Sequence, residues 1–128
     1  MNFPDDLRYT REHEWARRKG KNVAVGITEY AQDQLGDVVY LELPDLGDAV
    51  KKGESFGVVE STKAVSELFA PVSGKIVEVN DPLADAPETV NEDPYEEGWM
   101  VVIEPSDPSE LESLMDAKAY QAFVEEQE

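Results

Sequence analysis

Few side chains in this sequence are equipped for chemistry, and one of them stands apart. Lys63 lies in Glu60-Ser61-Thr62-Lys63-Ala64, between the apolar runs Gly57-Val58-Val59 and Val65-Ser66-Glu67-Leu68-Phe69-Ala70. Its nearest basic neighbours in sequence are Lys52 and Lys75, so its amine is isolated. An amine that another enzyme must acylate should be exposed, held at a rigid tip and flanked by small residues. Ser61, Thr62 and Ala64 meet the last condition. The tip contains neither Gly nor Asn, which suits a type I turn, a geometry open to most residues. Gly53 stands ten residues before Lys63 and Gly74 eleven after it, a weak hint of two related β units about the hairpin. On a random hairpin such a lysine is simply a solubilising charge. The combination of small neighbours, flanking glycines, the preceding Glu60 and the absence of a competing lysine favours an attachment site.

Other chemistries have less to draw on. Cysteine is absent, so disulfides, thiolate metal ligands and a cysteine nucleophile are excluded. The single histidine, His13, rules out a His-rich metal site, and beside Trp15 it reads as a structural hydrogen-bonding group. Carboxylates abound, but no constellation assigns them the paired acid and base roles of a hydrolase.

A chain of 128 residues suits one domain, residues 1–128, burying roughly two-thirds of its unfolded surface. The formal charge of −18 is uneven: residues 28–128 hold five basic against twenty-five acidic side chains, a net −20. Such a surface repels phosphate backbones and anionic lipid, which disfavours nucleic-acid and membrane roles, and it would steer the chain toward basic patches on partner proteins. No apolar run approaches the roughly 18 residues of a membrane span. The N-terminus lacks signal-peptide and transit-peptide features, so the expected location is the bacterial cytoplasm, with a processed organellar form as the alternative.

The elements that must position Lys63 are mostly strands. Leu7 to Ile27 reads as a hairpin turning at Arg17–Lys21, with Val23, Val25 and Ile27 at strand period. Thr28 is placed to cap a short helix over residues 28–35 that Gly36 ends at a left-handed position. Strands follow at Val38–Leu43, Ser55–Glu60, Val65–Ala70, Lys75–Val79 and Trp99–Glu104. Asn80–Pro94, rich in Pro, Asp and Asn and without periodicity, reads as a long ordered loop. The tail reads as helical from a capping box at Ser109 and Glu112. Trp15, Trp99, Phe56 and Phe69 read as core. The expected fold is mostly β: a flattened β-barrel or sandwich of the lipoyl/biotinyl type, with the short helix and a C-terminal helical tail.

Glu60–Ala64, within Gly57–Asn80, resembles the lipoyl-attachment segment of the glycine cleavage system H-protein family. The resemblance extends to His13-Glu14-Trp15, Val25–Thr28, Leu35–Val39, Glu42-Leu43-Pro44, Val90–Tyr95, Gly98-Trp99 and Pro105-Ser106, from about Tyr9 to Tyr120. It implies a non-catalytic carrier with lipoic acid joined covalently to Lys63 by an amide. It also implies three partner enzymes: a pyridoxal-phosphate glycine decarboxylase that loads an aminomethyl group, a tetrahydrofolate-dependent aminomethyltransferase that removes it, and dihydrolipoamide dehydrogenase, which reoxidises the dithiol. A lipoate ligase or transferase would attach the arm. Carried over, the cleft sheltering the loaded arm would involve Glu12, His13, Glu14 and Glu67, where Glu67 stands for a shorter Asp. The lack of cysteine suits the cycle, since no protein thiol can attack the arm's disulfide. The alternatives are a lipoyl or biotinyl carrier of another multienzyme complex, or a lipoate donor. Biotinyl domains typically flank the lysine with methionines, where this chain has Thr62 and Ala64.

Overall fold

The structure is a computed structural model and describes residues 1–127. In chain order its elements are β1 (Arg8–Tyr9), β2 (Glu14–Lys19), β3 (Asn22–Ile27), α1 (Glu29–Leu35), β4 (Val38–Glu42), β5 (Ala49–Val50), β6 (Ser55–Ser61) and β7 (Val65–Phe69). There follow β8 (Gly74–Val79), α2 (Asp81–Asp85), α3 (Thr89–Glu92), β9 (Val101–Pro105), α4 (Ser109–Glu112) and α5 (Ala117–Gln127). The strands form two antiparallel sheets, one ordered β1-β2-β3-β9-β8-β5 and the other β4-β6-β7. They do not close on one another, so the mostly-β expectation resolves to a sandwich rather than a barrel.

Alternation along the strands explains why the large sheet is covered on both faces. Val23, Val25 and Ile27 of β3, with Val101 and Ile103 of β9, face Leu41, Val59 and Leu68 of the small sheet and form the main core. The intervening Ala24 and Val102 point to the opposite face, where Tyr9, Trp15, Tyr95, Tyr120 and Val124 cover them. The small sheet is therefore the wall that carries the Lys63 hairpin, while α5 backs the large sheet from behind.

Two sequence expectations need correction here. Asn80–Pro94 is not a loop: it holds α2 and α3, which bury Leu83 and Val90. Helices of four or five residues are too short to show a period, and the Asn80 side chain fastens their entry by donating to the Trp99 carbonyl at 2.6 Å. The tail begins differently as well. Ser109 lies inside α4, and the accepting group is Asp107, whose carboxylate receives the Ser109 amide at 3.1 Å and its hydroxyl at 2.6 Å. The tail then breaks at Met115, which exchanges backbone hydrogen bonds with Tyr9 at 2.8 and 3.0 Å before α5 starts. Trp15 and Phe56 are core as expected, whereas Trp99 and Phe69 are only half-buried.

Candidate functional site

The β6–β7 hairpin presents Lys63 to solvent at its tip. Ser61 ties the tip together: its amide donates to the Ala64 carbonyl at 2.8 Å, and its hydroxyl accepts from the amides of Lys63 and Ala64 at 3.2 and 3.0 Å. A serine that bonds forward in this way does the work that a Gly or Asn turn residue does elsewhere. Glu60 is half-buried at the end of β6, paired across to Val65 and, on its other side, to Tyr40.

The tip is also fastened from outside. The Thr62 amide donates to the Asp37 carbonyl at 3.0 Å, in the link between α1 and β4. That link is held in turn by Asn91 of α3. Its Oδ1 accepts from Val38 N at 2.8 Å, and its Nδ2 donates to Gly36 O at 2.8 Å and to Gln32 Oε1 at 3.0 Å. Gly36 ends α1 at φ 82°, a conformation natural to glycine. A side chain there would also meet the lysine stem, since an added Cβ would stand 3.3 Å from Lys63 Cε. The lysine arm thus lies along the C-terminus of α1.

Leu35, one residue earlier, lines a cavity of about 180 Å³ bounded by Glu12, His13, Glu14, Ile27, Ala31, Gln34, Val59 and Ser66–Leu68. The structure thus brings Glu12, His13, Glu14 and Glu67 to one cavity, bordered by the end of α1 along which the Lys63 stem lies. Glu12 and Glu67 are exposed at its rim. Glu14 is different, at 1% exposure. Its Oε1 accepts from the Thr10 hydroxyl at 2.6 Å and its Oε2 from the Phe69 amide at 3.2 Å. Burial pushes its carboxyl up from an ordinary 4.5 to about 7, against the opposing pull of those two donors. Glu14 therefore holds its proton more tightly than an ordinary glutamate, and a cation beside it would favour the ionised form.

His13 adopts φ 73°, rare for a residue with a side chain though less so for His. Its Nδ1 lies 2.8 Å from the Tyr120 hydroxyl, in keeping with a structural hydrogen-bonding role. Burial lowers its imidazole below the ordinary value, opposed by the hydrogen bond that the ring donates to the Gln127 side chain and by the charge of Glu12. Sequence reasoning missed Thr10, Gly36, Asp37 and Asn91 as parts of the site. Of these only Gly36 carried a local signal, and it pointed to a helix end rather than to the lysine. Among the described residues no group of three or more His, Cys, Asp or Glu is placed to hold a metal ion, and no helix is long and apolar enough to cross a membrane.

Comparisons with known proteins show the family of the chain. The family model described as glycine cleavage H-protein matches residues 7–127. A glycine cleavage system H protein of Anaeromyxobacter sp. (strain K) is 80% identical over 128 residues, the full length of both chains. That of Myxococcus xanthus is 61% identical over 124 residues, covering 97% of this chain and 96% of the relative. The crystal structure of a glycine cleavage system H protein from Mycobacterium marinum superimposes with a TM-score of 0.87 at 44% identity, covering 94% of this chain and 97% of that one. The chain belongs to the glycine cleavage H-protein family, the non-catalytic lipoyl carriers of the glycine cleavage system.

Proposed function

We propose that Lys63 is the point at which this carrier holds its lipoyl group, and that the neighbouring cavity shelters what the arm carries. One observation supports this above the others: the isolated lysine stands exposed at a pinned tip, its stem running along the helix end that borders a cavity with a buried carboxylate. The residues present fit such an arm. Ile27, Ala31, Leu35, Val59 and Leu68 offer apolar walls to a methylene chain, and Glu14 offers a carboxylate to an ammonium group. Bound as an amide, the lipoyl group supplies a disulfide that can be reduced and a sulfur that can carry a one-carbon amine.

The chain's own residues orient and protect. Ser61 and Asp37 hold the tip so that the arm leaves from a fixed origin. Glu14 accepts a cationic amine in a site with little water, where charge pairing is stronger than in bulk solvent. Glu12 and Glu67 at the rim add negative potential at the entrance. His13 forms part of the wall.

The partners in this reading are the pyridoxal-phosphate glycine decarboxylase, the tetrahydrofolate-dependent aminomethyltransferase, dihydrolipoamide dehydrogenase and the ligase or transferase that installs the arm. The reading places the chain in the bacterial cytoplasm. The test is a reconstituted system of the three partner enzymes with the carrier supplied as wild type or as Lys63→Arg, each first treated with lipoate and ligase. Glycine-dependent ammonia release is expected with the wild type and at background level with Lys63→Arg, which keeps the charge but offers no acylable amine. Sustained release with Lys63→Arg refutes the assignment.

A further inference from the structure

Three polar groups, from Tyr120, His13 and Thr28, meet behind the cavity. Tyr120 of α5 is fully buried, its ring stacked on Tyr9 at 4.5 Å and 7° and edge-on to Phe3 at 5.0 Å. Its hydroxyl lies 2.8 Å from His13 Nδ1 and 2.8 Å from Thr28 Oγ1. Thr28 is itself fully buried and caps α1, its Oγ1 accepting from the Ala31 amide at 3.1 Å. The Thr28 amide in turn donates to the His13 carbonyl at 3.0 Å.

The hydrogens have one arrangement that satisfies every group. Thr28 Oγ1 accepts from Ala31 N and donates its own hydrogen to the Tyr120 oxygen, and Tyr120 donates to His13 Nδ1. That chain requires neutral His13 with its proton on Nε2. It also joins the two walls of the cavity. His13 and Glu14 form one wall, and Ala31, Gln34 and Leu35 of the capped helix form the other. The left-handed backbone at His13 persists only where its surroundings impose it, and the Tyr120 hydroxyl is such a constraint.

We infer that Tyr120 is a positioning residue for the sheltering cavity, its hydroxyl locking the His13–Glu14 wall to the N-terminus of α1 from behind. The C-terminal helix then acts as a clamp on a cavity it does not line. This inference rests on the reading that the cavity protects the loaded arm.

Tyr120→Phe tests it, because that change keeps the ring and its stacking on Tyr9 and deletes only the hydroxyl. His13 is the sole histidine of the chain, so its ring nitrogens give one unambiguous pair of signals in a long-range proton–nitrogen NMR spectrum. The wild type should show an accepting Nδ1 and a protonated Nε2. Tyr120→Phe should shift the Nδ1 signal and admit the second tautomer. In the lipoylated protein loaded with the aminomethyl group, ammonia release without partner enzymes should be about five times faster for Tyr120→Phe than for the wild type. Leu111→Val, a core truncation on α4, controls for general loosening and should leave both readouts at wild-type values. If Tyr120→Phe keeps the wild-type histidine signals, or releases ammonia no faster than Leu111→Val, the positioning role is overturned. Release from the wild type as fast as from a small lipoamide adduct overturns the sheltering reading, and the proposal with it.

Discussion

Glu14 shows how one side chain's environment sets what it can do. The carboxyl lies in the wall of a cavity, nearly inaccessible, with one donor on each oxygen. Its folded-state value of about 7 lies above the ordinary 4.5, so the folded protein binds the Glu14 proton more tightly than the unfolded chain does. The stability this proton contributes is fully present below about pH 4.5 and is lost as pH rises through about 7. Glu14→Gln keeps the shape and removes the titration. The stability difference between wild type and Glu14→Gln, read from urea unfolding, should therefore shift against the wild type between pH 4.5 and 7.5. An unchanged difference across that range means Glu14 does not titrate there. Binding a cationic amine would reverse the balance, since a charge partner favours the ionised form.

At the scale of elements, the segment whose sequence reads as a long ordered loop holds the tip. Asn91 in α3 makes three hydrogen bonds to the end of α1 and the start of β4, and the same link accepts the Thr62 amide. Asn91→Ala should cost about 2–4 kcal/mol, taking roughly 1 kcal/mol per lost bond. It should also speed hydrogen exchange at the Thr62 amide well beyond that of core strand amides. Exchange at Thr62 that rises only as much as global stability falls would separate Asn91 from the tip.

Legibility in the sequence divides along the same line. The strands, the cap at Thr28, the end at Gly36 and the Lys63 hairpin were readable because period, capping chemistry and turn composition are local. The short helices were not, because one buried residue apiece, Leu83 and Val90, leaves no pattern. The expected capping box does not form because Ser109 lies inside α4 and gives both its amide and its hydroxyl hydrogen to the Asp107 carboxylate. Asn91 and Tyr120 act across 53 to 107 positions of sequence, and no local signal reports such a contact. The symmetric placing of Gly53 and Gly74 also has two separate causes. Gly53 takes φ 85°, whereas Gly74 lies where an added Cβ would stand 2.1 Å from the Glu104 carbonyl oxygen.

For the whole molecule the governing quantity is charge. The few ion pairs among the described residues, Arg17–Glu96 at 3.5 Å, Lys19–Glu78 at 3.4 Å and Lys21–Glu104 at 3.8 Å, draw their basic members from the N-terminal hairpin. Exposed pairs of this kind contribute little to stability. Around the tip the exposed charges are mostly carboxylates, among them Asp37, Glu42 and Glu67. Association with basic partner surfaces should therefore be fast at low ionic strength and slow as salt screens it. The KM of each partner enzyme for this carrier is expected to rise several-fold between about 0.02 and 0.2 M salt, with kcat little changed. A KM that does not respond to salt would remove electrostatic steering from the account.

The central claim is that the arm is joined where the tip presents its amine, at Lys63. The most direct measurement is intact mass after incubation with lipoate, ATP and a lipoate ligase. The wild type is expected to gain the mass of one lipoyl group and Lys63→Ala none. A gain that survives in Lys63→Ala would place the arm on another residue and contradict the account.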